Sequence, residues 1–539
     1  MARRLLRVPR VCVTVGLFMV VCCMVRPSTA AWIDPLTPQE RQGRDFYQYG
    51  ADGHADHVRV SLEGVKGGLP PTLFRCAGCH GHRGQGTQEG GLRVPPLTPL
   101  ALRQAREGVS AGGARPGYTD EGLANAITQG IDASHHALHP SMPRYQLTSD
   151  QLAGVIAYLN RIGGESDTDL GVTATAVTVG AALPLTGPLA RIGQDVAAIL
   201  RGAIQRLNEQ GGVYGRHIEL IVEDSRGEPA LTEQAVARLI ETHHVFALVG
   251  SFEPAGEVGA RERLEQYHIP SIFPLTQSPQ LYDPPSPSLF YALPGFDLQF
   301  RSLLDFFASR AKALTGTSQP RLALVHRNGG GNGEALRGAL AQVRHHGLNL
   351  AMNYEYSKGR QDVVALVTQL EQQGIDAVLF IGDGEGLVSM ANELARRELS
   401  PIVLSAIGMV GAHAHTVPSG LRSRVVLVTP IDPPTERELT SLRALSEQAT
   451  VTSVGFARMS QGAVSVLGES LKRAGRDLSR HAVIEALETF LDQDTGAGFS
   501  VTFGAQRRLG HVASKVVGLT QNPPYVSPLT DWMMPEGDP

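Results

Sequence analysis

From residue 176 onward two hydrophobic periods alternate along the chain. Short apolar runs at 176–181, 218–222, 245–249, 271–273, 322–325, 377–381 and 402–404 read as strands. The segments between them carry apolar residues three and four apart, which is the helical period. The first such segment sets Val196, Ile199, Leu200, Ala203, Ile204 and Leu207 on one face. Further helices are predicted at 231–241, 255–267, 334–345, 363–373 and 386–397. Strands alternating with amphipathic helices predict parallel, doubly wound α/β sheets covered on both faces. The run is long enough for two such lobes.

Residues 36–163 follow a different pattern. A short helix at 39–49 has Phe46 and Tyr47 on its apolar side. Thr119-Asp120-Glu121 opens a helix whose stripe is Leu123, Ala124, Ile127 and Ile131. Thr148 is the N-cap of a last helix striped by Leu152, Val155, Ile156 and Leu159. The polar, Gly-led run at 163–169 reads as the start of a linker, placed at 164–175. Ahead of both blocks, an apolar stretch at 11–25 follows Arg3, Arg4, Arg7 and Arg10 and ends in small residues to Ala30 and Ala31. That is the layout of a secretory signal peptide, residues 1–30. The alternative, a membrane anchor, needs about 20 apolar residues, more than this stretch offers.

Composition changes the picture in three ways. Of 539 residues, 42% are hydrophobic and 19% charged, which excludes a disordered polyelectrolyte. The formal net charge is -4, with no basic excess, so nucleic acid is not an expected partner. Of the five cysteines, Cys12, Cys22 and Cys23 lie in the export segment, and the other two share one string, Cys76-Ala77-Gly78-Cys79-His80. A disulfide and a redox dithiol both suit two exported cysteines at this spacing. The His after the second Cys favours covalent c-type haem attachment: each thiol adds to one vinyl group, and the adjacent imidazole reaches the iron.

With Ser141-Met142-Pro143 before a final helix ending Ala157-Tyr158-Leu159, the block 36–163 resembles the class I cytochromes c. The resemblance implies an all-α fold around one covalent haem c, with His80 as proximal and Met142 as distal iron ligand. His135, His136 and His139 are the nearby rivals for the distal place. A soft thioether opposite an imidazole raises the haem potential and fills the sixth site, which suits electron transfer.

The second block carries Leu183-Pro184-Leu185-Thr186-Gly187-Pro188, Asn208-Glu209-Gln210-Gly211-Gly212-Val213-Tyr214-Gly215-Arg216 and Ala247-Leu248-Val249-Gly250-Ser251. On these strings, residues 176–525 resemble the type I periplasmic solute-binding proteins of the leucine/isoleucine/valine class. The resemblance implies two lobes joined by three crossovers and closing on a small molecule. Lobe one would take about 176–295 and 430–490. Lobe two would take about 296–429 with a C-terminal return, leaving 526–539 as a tail. Ligand contacts implied near the strand ends are Thr186, Ser251, Phe252, Glu253, Thr276 and Gln277. In the family, hydroxyls and backbone N–H groups hold an amino acid's carboxylate, and a lobe-two carboxylate holds its ammonium group. Here Pro254 or Ala255 stands where the hydroxyl is usual, and Ser405-Ala406-Ile407-Gly408 offers no carboxylate. A buried zwitterion left without partners is costly, so the expected solute is not a simple α-amino acid.

No Walker loop, H-E-x-x-H or Ser–His–Asp order is present, and the Gly-rich stretch 328–333 lacks the G-x-G-x-x-G spacing. The sequence thus predicts a periplasmic electron carrier and binding protein, not an enzyme. Its expected partners are a redox protein (a dehydrogenase or another cytochrome), a small-molecule ligand and, on the alternative reading, the permease of an ABC importer.

Overall fold

Two capping boxes set the frame of the first domain. Thr37 accepts from the Glu40 N–H while the Glu40 carboxylate accepts from the Thr37 N–H, which starts helix Pro38–Tyr49. Thr148 and Gln151 repeat the arrangement at helix Ser149–Leu159, as the sequence predicted for Thr148. The two helices cross at Gly43 and Gly154. A Cβ on Gly43 would lie 1.9 Å from the Gly154 carbonyl oxygen, so only glycine allows this approach. Phe46, Tyr47, Tyr145, Val155, Tyr158 and Leu159 close the core around the crossing. Two short antiparallel ribbons accompany the helices, Arg59–Ser61 with Arg144–Gln146 and Thr87–Glu89 with Leu92–Val94.

The computed structural model describes residues 36–537 except 51–57, 63, 90–91, 106–114, 165–166, 254–259, 277, 330–331, 358, 360–361, 434, 436, 438–450 and 523–524. The expected export segment lies outside the described residues. Among the described residues, no helix is long and apolar enough to cross a membrane.

The second block forms two α/β lobes. In the first, five parallel strands run in the spatial order His217–Asp224, Ala176–Leu183, Ala247–Val249, Ser271–Ile272, Leu289–Phe290. In the second, Asn349–Tyr356, Arg321–Arg327, Ala377–Ile381, Ile402–Ala406 and Val425–Thr429 are parallel. Lys515–Leu519 and Val526–Pro528 then join antiparallel at the edge, so this sheet is mixed. Residues 526–528, expected in a tail, are therefore an edge strand, because the chain returns from lobe one and pairs back. Helices Val451–Ala474 and Arg480–Glu488 pack on lobe one through Val466, Leu467, Leu471, Val483 and Leu487. The path leaves lobe one after residue 290, returns after 429 and leaves again after 509, which makes the three crossovers.

Among the elements that the sequence pattern does not predict, two have a plain reason. Helix Phe296–Thr315 buries Gln299, Ser302 and Asp305 among its apolar residues, which interrupts the amphipathic stripe. Strand Asn349–Tyr356 lies at the sheet edge and keeps polar residues.

Candidate functional sites

The string Cys76–His80 is a single helical turn, and neither thiol is in a disulfide. Burial pushes the Cys76 thiol up to about 11. The His80 imidazole is buried, and burial lowers its pKa, which favours the neutral form that ligates metals. Its Nδ1 lies 2.9 Å from the Pro95 carbonyl oxygen. Only a protonated Nδ1 can donate there, so the Nε2 lone pair is left for a metal. Tyr47 donates to the Gly81 carbonyl at 2.8 Å and Thr87 to the Cys79 carbonyl at 2.7 Å, holding the C-terminal end of the turn. Two free thiols beside an oriented neutral imidazole fit a covalently held haem. Met142 is half-buried in the turn before Pro143, with its N–H on the His139 carbonyl at 3.0 Å. His135, His136 and His139 are all exposed.

The second candidate site is the cleft between the lobes, a cavity of about 320 Å³. Phe252, Leu275 and Thr276 line it from the strand ends of lobe one, with Phe456 and Met459 from helix Val451–Ala474. The Phe252 and Phe456 rings meet at 5.7 Å. Phe296, Ile407 and Met409 face them from lobe two. The predicted contacts divide. Phe252 and Thr276 are in the wall. Ser251 is fully buried and accepts from the Ala182 N–H at 3.1 Å, a bond that ties two strands. Thr186 is exposed and donates to Asp224 at 2.6 Å, tying the loop after strand Ala176–Leu183 to the end of strand His217–Asp224. Glu253 is buried beside the wall without lining it, its N–H on the Leu275 carbonyl at 3.2 Å. Gln277, Pro254 and Ala255 lie outside the described residues.

The wall also holds charges that the sequence reading missed. It places no carboxylate on lobe two, whereas the structure brings in Asp383 from the neighbouring strand end. Asp383 caps helix Gly384–Arg396 and pairs with Arg327 at 2.7 Å. Asp432, in the crossover, pairs with Lys515. The signal for Asp383 was a helix cap directly after an apolar strand, where α/β ligand sites collect. Each wall carboxylate already has its cation, so the cleft presents balanced pairs on a mostly apolar surface.

The two domains meet along a polar seam. Arg44 reaches Asp169 at 3.0 Å, and Asp169 also accepts from the Arg480 N–H at 2.6 Å. Burial alone would raise the Asp169 pKa, but Arg44 and Arg480 outweigh it and hold the carboxyl below its ordinary value. The Arg480 guanidinium donates to the carbonyls of Leu170, Val245, Phe246 and Tyr267. Tyr49 stacks on His268 with ring centres 4.0 Å apart. The predicted linker is thus fastened: Asp167 accepts from the Tyr158 hydroxyl at 2.8 Å and the Gly163 N–H at 2.7 Å.

Comparison with known proteins agrees with both halves. Residues 176–519 match the periplasmic binding protein family and residues 71–162 match cytochrome c. A Leu/Ile/Val-binding protein homolog 3 of Brucella melitensis is 24% identical over 326 residues, which is 60% of this chain and 86% of that protein. A leucine-, isoleucine-, valine-, threonine- and alanine-binding protein of Pseudomonas aeruginosa is also 24% identical, covering 61% of this chain and 87% of its own. The same fold occurs in a branched-chain amino acid ABC transporter protein from Thermus thermophilus solved with valine (TM-score 0.53, 18% identity, 68% of this chain and 97% of that one). It occurs again in a fatty acid ABC transporter substrate-binding protein from Thermomonospora curvata (TM-score 0.54, 18% identity, 68% and 95%). With a cytochrome c domain ahead of two α/β lobes that the family match spans almost end to end, the chain belongs to the periplasmic binding protein family.

Proposed function

We propose that this chain is an exported, mono-haem electron carrier whose two-lobed domain binds a mainly apolar small molecule, and that it is not an enzyme. The observation that carries the electron-transfer half is the Cys76–His80 turn with the imidazole held on Pro95. Cys76 and Cys79 would hold one haem covalently, with His80 and Met142 on its iron. When bound, haem c would supply a one-electron couple, with His80 and Met142 as the residues that would hold its iron. Burial favours neutral His80, and the Pro95 carbonyl orients it. The partner would be a periplasmic redox protein, a dehydrogenase or another cytochrome. Met142→Ala tests the axial assignment. The ferrous variant should bind carbon monoxide and shift its Soret band, whereas an unchanged spectrum would move the ligand to His135, His136 or His139.

The cleft supports a solute other than a simple amino acid. A zwitterion entering it must share Asp383 with Arg327 or Asp432 with Lys515 to gain a carboxylate partner. A charged bidentate anchor is worth a few kcal/mol, and each 1.4 kcal/mol is tenfold in affinity. Leucine, isoleucine and valine should therefore bind at least about a hundredfold more weakly than a micromolar scavenging receptor requires. Calorimetry of the full chain with these three measures it. Micromolar binding of any of them would support the second reading, the receptor of an ABC importer with a haem accessory, which the names of the Brucella and Thermus relatives favour.

A further inference from the structure

One group of side chains lies outside both sites. His82 stands two residues beyond the haem string, on the cytochrome side of the seam. His481 and Glu485 stand one turn apart on helix Arg480–Glu488 of the binding domain, so they share a face. One ligand atom from each lies within 4.8 Å of the other two. His82 Nε2 is 3.6 Å from one Glu485 oxygen, and His481 Nε2 is 3.0 Å from the other. Donors about 2.0–2.1 Å from a tetrahedral ion sit roughly 3.3 Å from one another, so these separations suit a single metal.

Orientation agrees. His82 Nδ1 lies 2.8 Å from the Gln48 side-chain oxygen, so it carries the proton and donates, and the Nε2 lone pair is directed at the other two ligands. A metal-binding imidazole is ordinarily fixed through its second nitrogen in this way. A cation already occupies the place. The Arg75 guanidinium donates to Glu485 at 2.7 Å and contacts His481 Nε2. A divalent ion that displaced it would meet two imidazole nitrogens and one carboxylate, with water in the fourth position.

We propose that His82, His481 and Glu485 form a binding site for a divalent ion of the zinc class that straddles the seam and ties the cytochrome domain to lobe one. Two imidazoles and a carboxylate suit zinc in preference to calcium or magnesium, which take oxygen ligands. Because neither domain supplies all three ligands, the ion would lock the seam as it binds.

Zinc titration of the haem-loaded full chain by calorimetry tests this. One site per chain is expected. His82→Ala and His481→Ala should each weaken it by more than the ~10–100-fold that loss of an outer-sphere partner costs. Arg75→Gln removes the competing guanidinium and should tighten it. The other candidate cluster among the described residues, His345, His346 and Glu536, serves as the control. A His345→Ala/His346→Ala variant should bind as the parent does. Zinc binding of parental affinity in both His82→Ala and His481→Ala, or binding lost only in the control variant, would overturn the proposal. An unchanged Soret band in every variant confirms that the cytochrome domain is folded.

Discussion

Cys76→Ala/Cys79→Ala should abolish the haem-stained band on a denaturing gel, with the chain itself still detected by antibody. Both thiols sit on the single turn that also carries His80. A thioether survives denaturation, whereas iron ligation by His80 does not. Each single variant retains one thiol and should keep a stained band. A band that survives in the double variant would sink the covalent assignment and leave the two cysteines to the dithiol reading.

Arg480→Ala should cost about 3–5 kcal/mol of stability, the range for stripping one partner from a buried charged network. Arg480 is 6% exposed. Its guanidinium bonds four carbonyls drawn from the linker, the end of one strand loop and the turn after helix Arg261–Gln266. Alanine leaves those carbonyls buried and leaves Asp169 with only Arg44 as a nearby cation. Urea denaturation followed by far-UV circular dichroism reads the change. Arg480→Lys, which keeps the charge and loses the fork, should fall between the two. The exposed Arg476→Ala should change little. A loss below about 1 kcal/mol for Arg480→Ala would show the seam to be solvated, since exposed pairs contribute at that level.

What the residues alone determined was local. The haem string, the Thr148 cap and the strand–helix alternation from 176 to 404 depend on chemistry within a few positions, where spacing fixes geometry. His80, directly after the second cysteine of the string, was what favoured a haem protein over a disulfide or a redox dithiol. The resemblance to solute-binding proteins then implied two lobes and three crossovers, which the chain path follows.

The tertiary structure decided what depends on partners far apart in sequence. Ser251 looked like a ligand hydroxyl, but its oxygen is spent on Ala182, 69 residues away. Lobe two seemed to lack a cleft carboxylate because the expectation looked along one strand. Asp383 comes from the adjacent strand and is neutralised by Arg327, 56 residues distant. Helix Phe296–Thr315 hid because packing on several sides buries polar residues, among them the hydrogen-bonded Gln299 and Asp305, that erase the amphipathic stripe. The run at 163–169 read as a loose linker for the same reason. Two of its acids find partners in the fold, where Tyr158 satisfies Asp167, and Arg44 with the Arg480 N–H satisfies the buried Asp169. A sequence pattern records which faces are apolar. Which polar groups find each other across the seam depends on how the two domains dock, and only the folded chain fixes that.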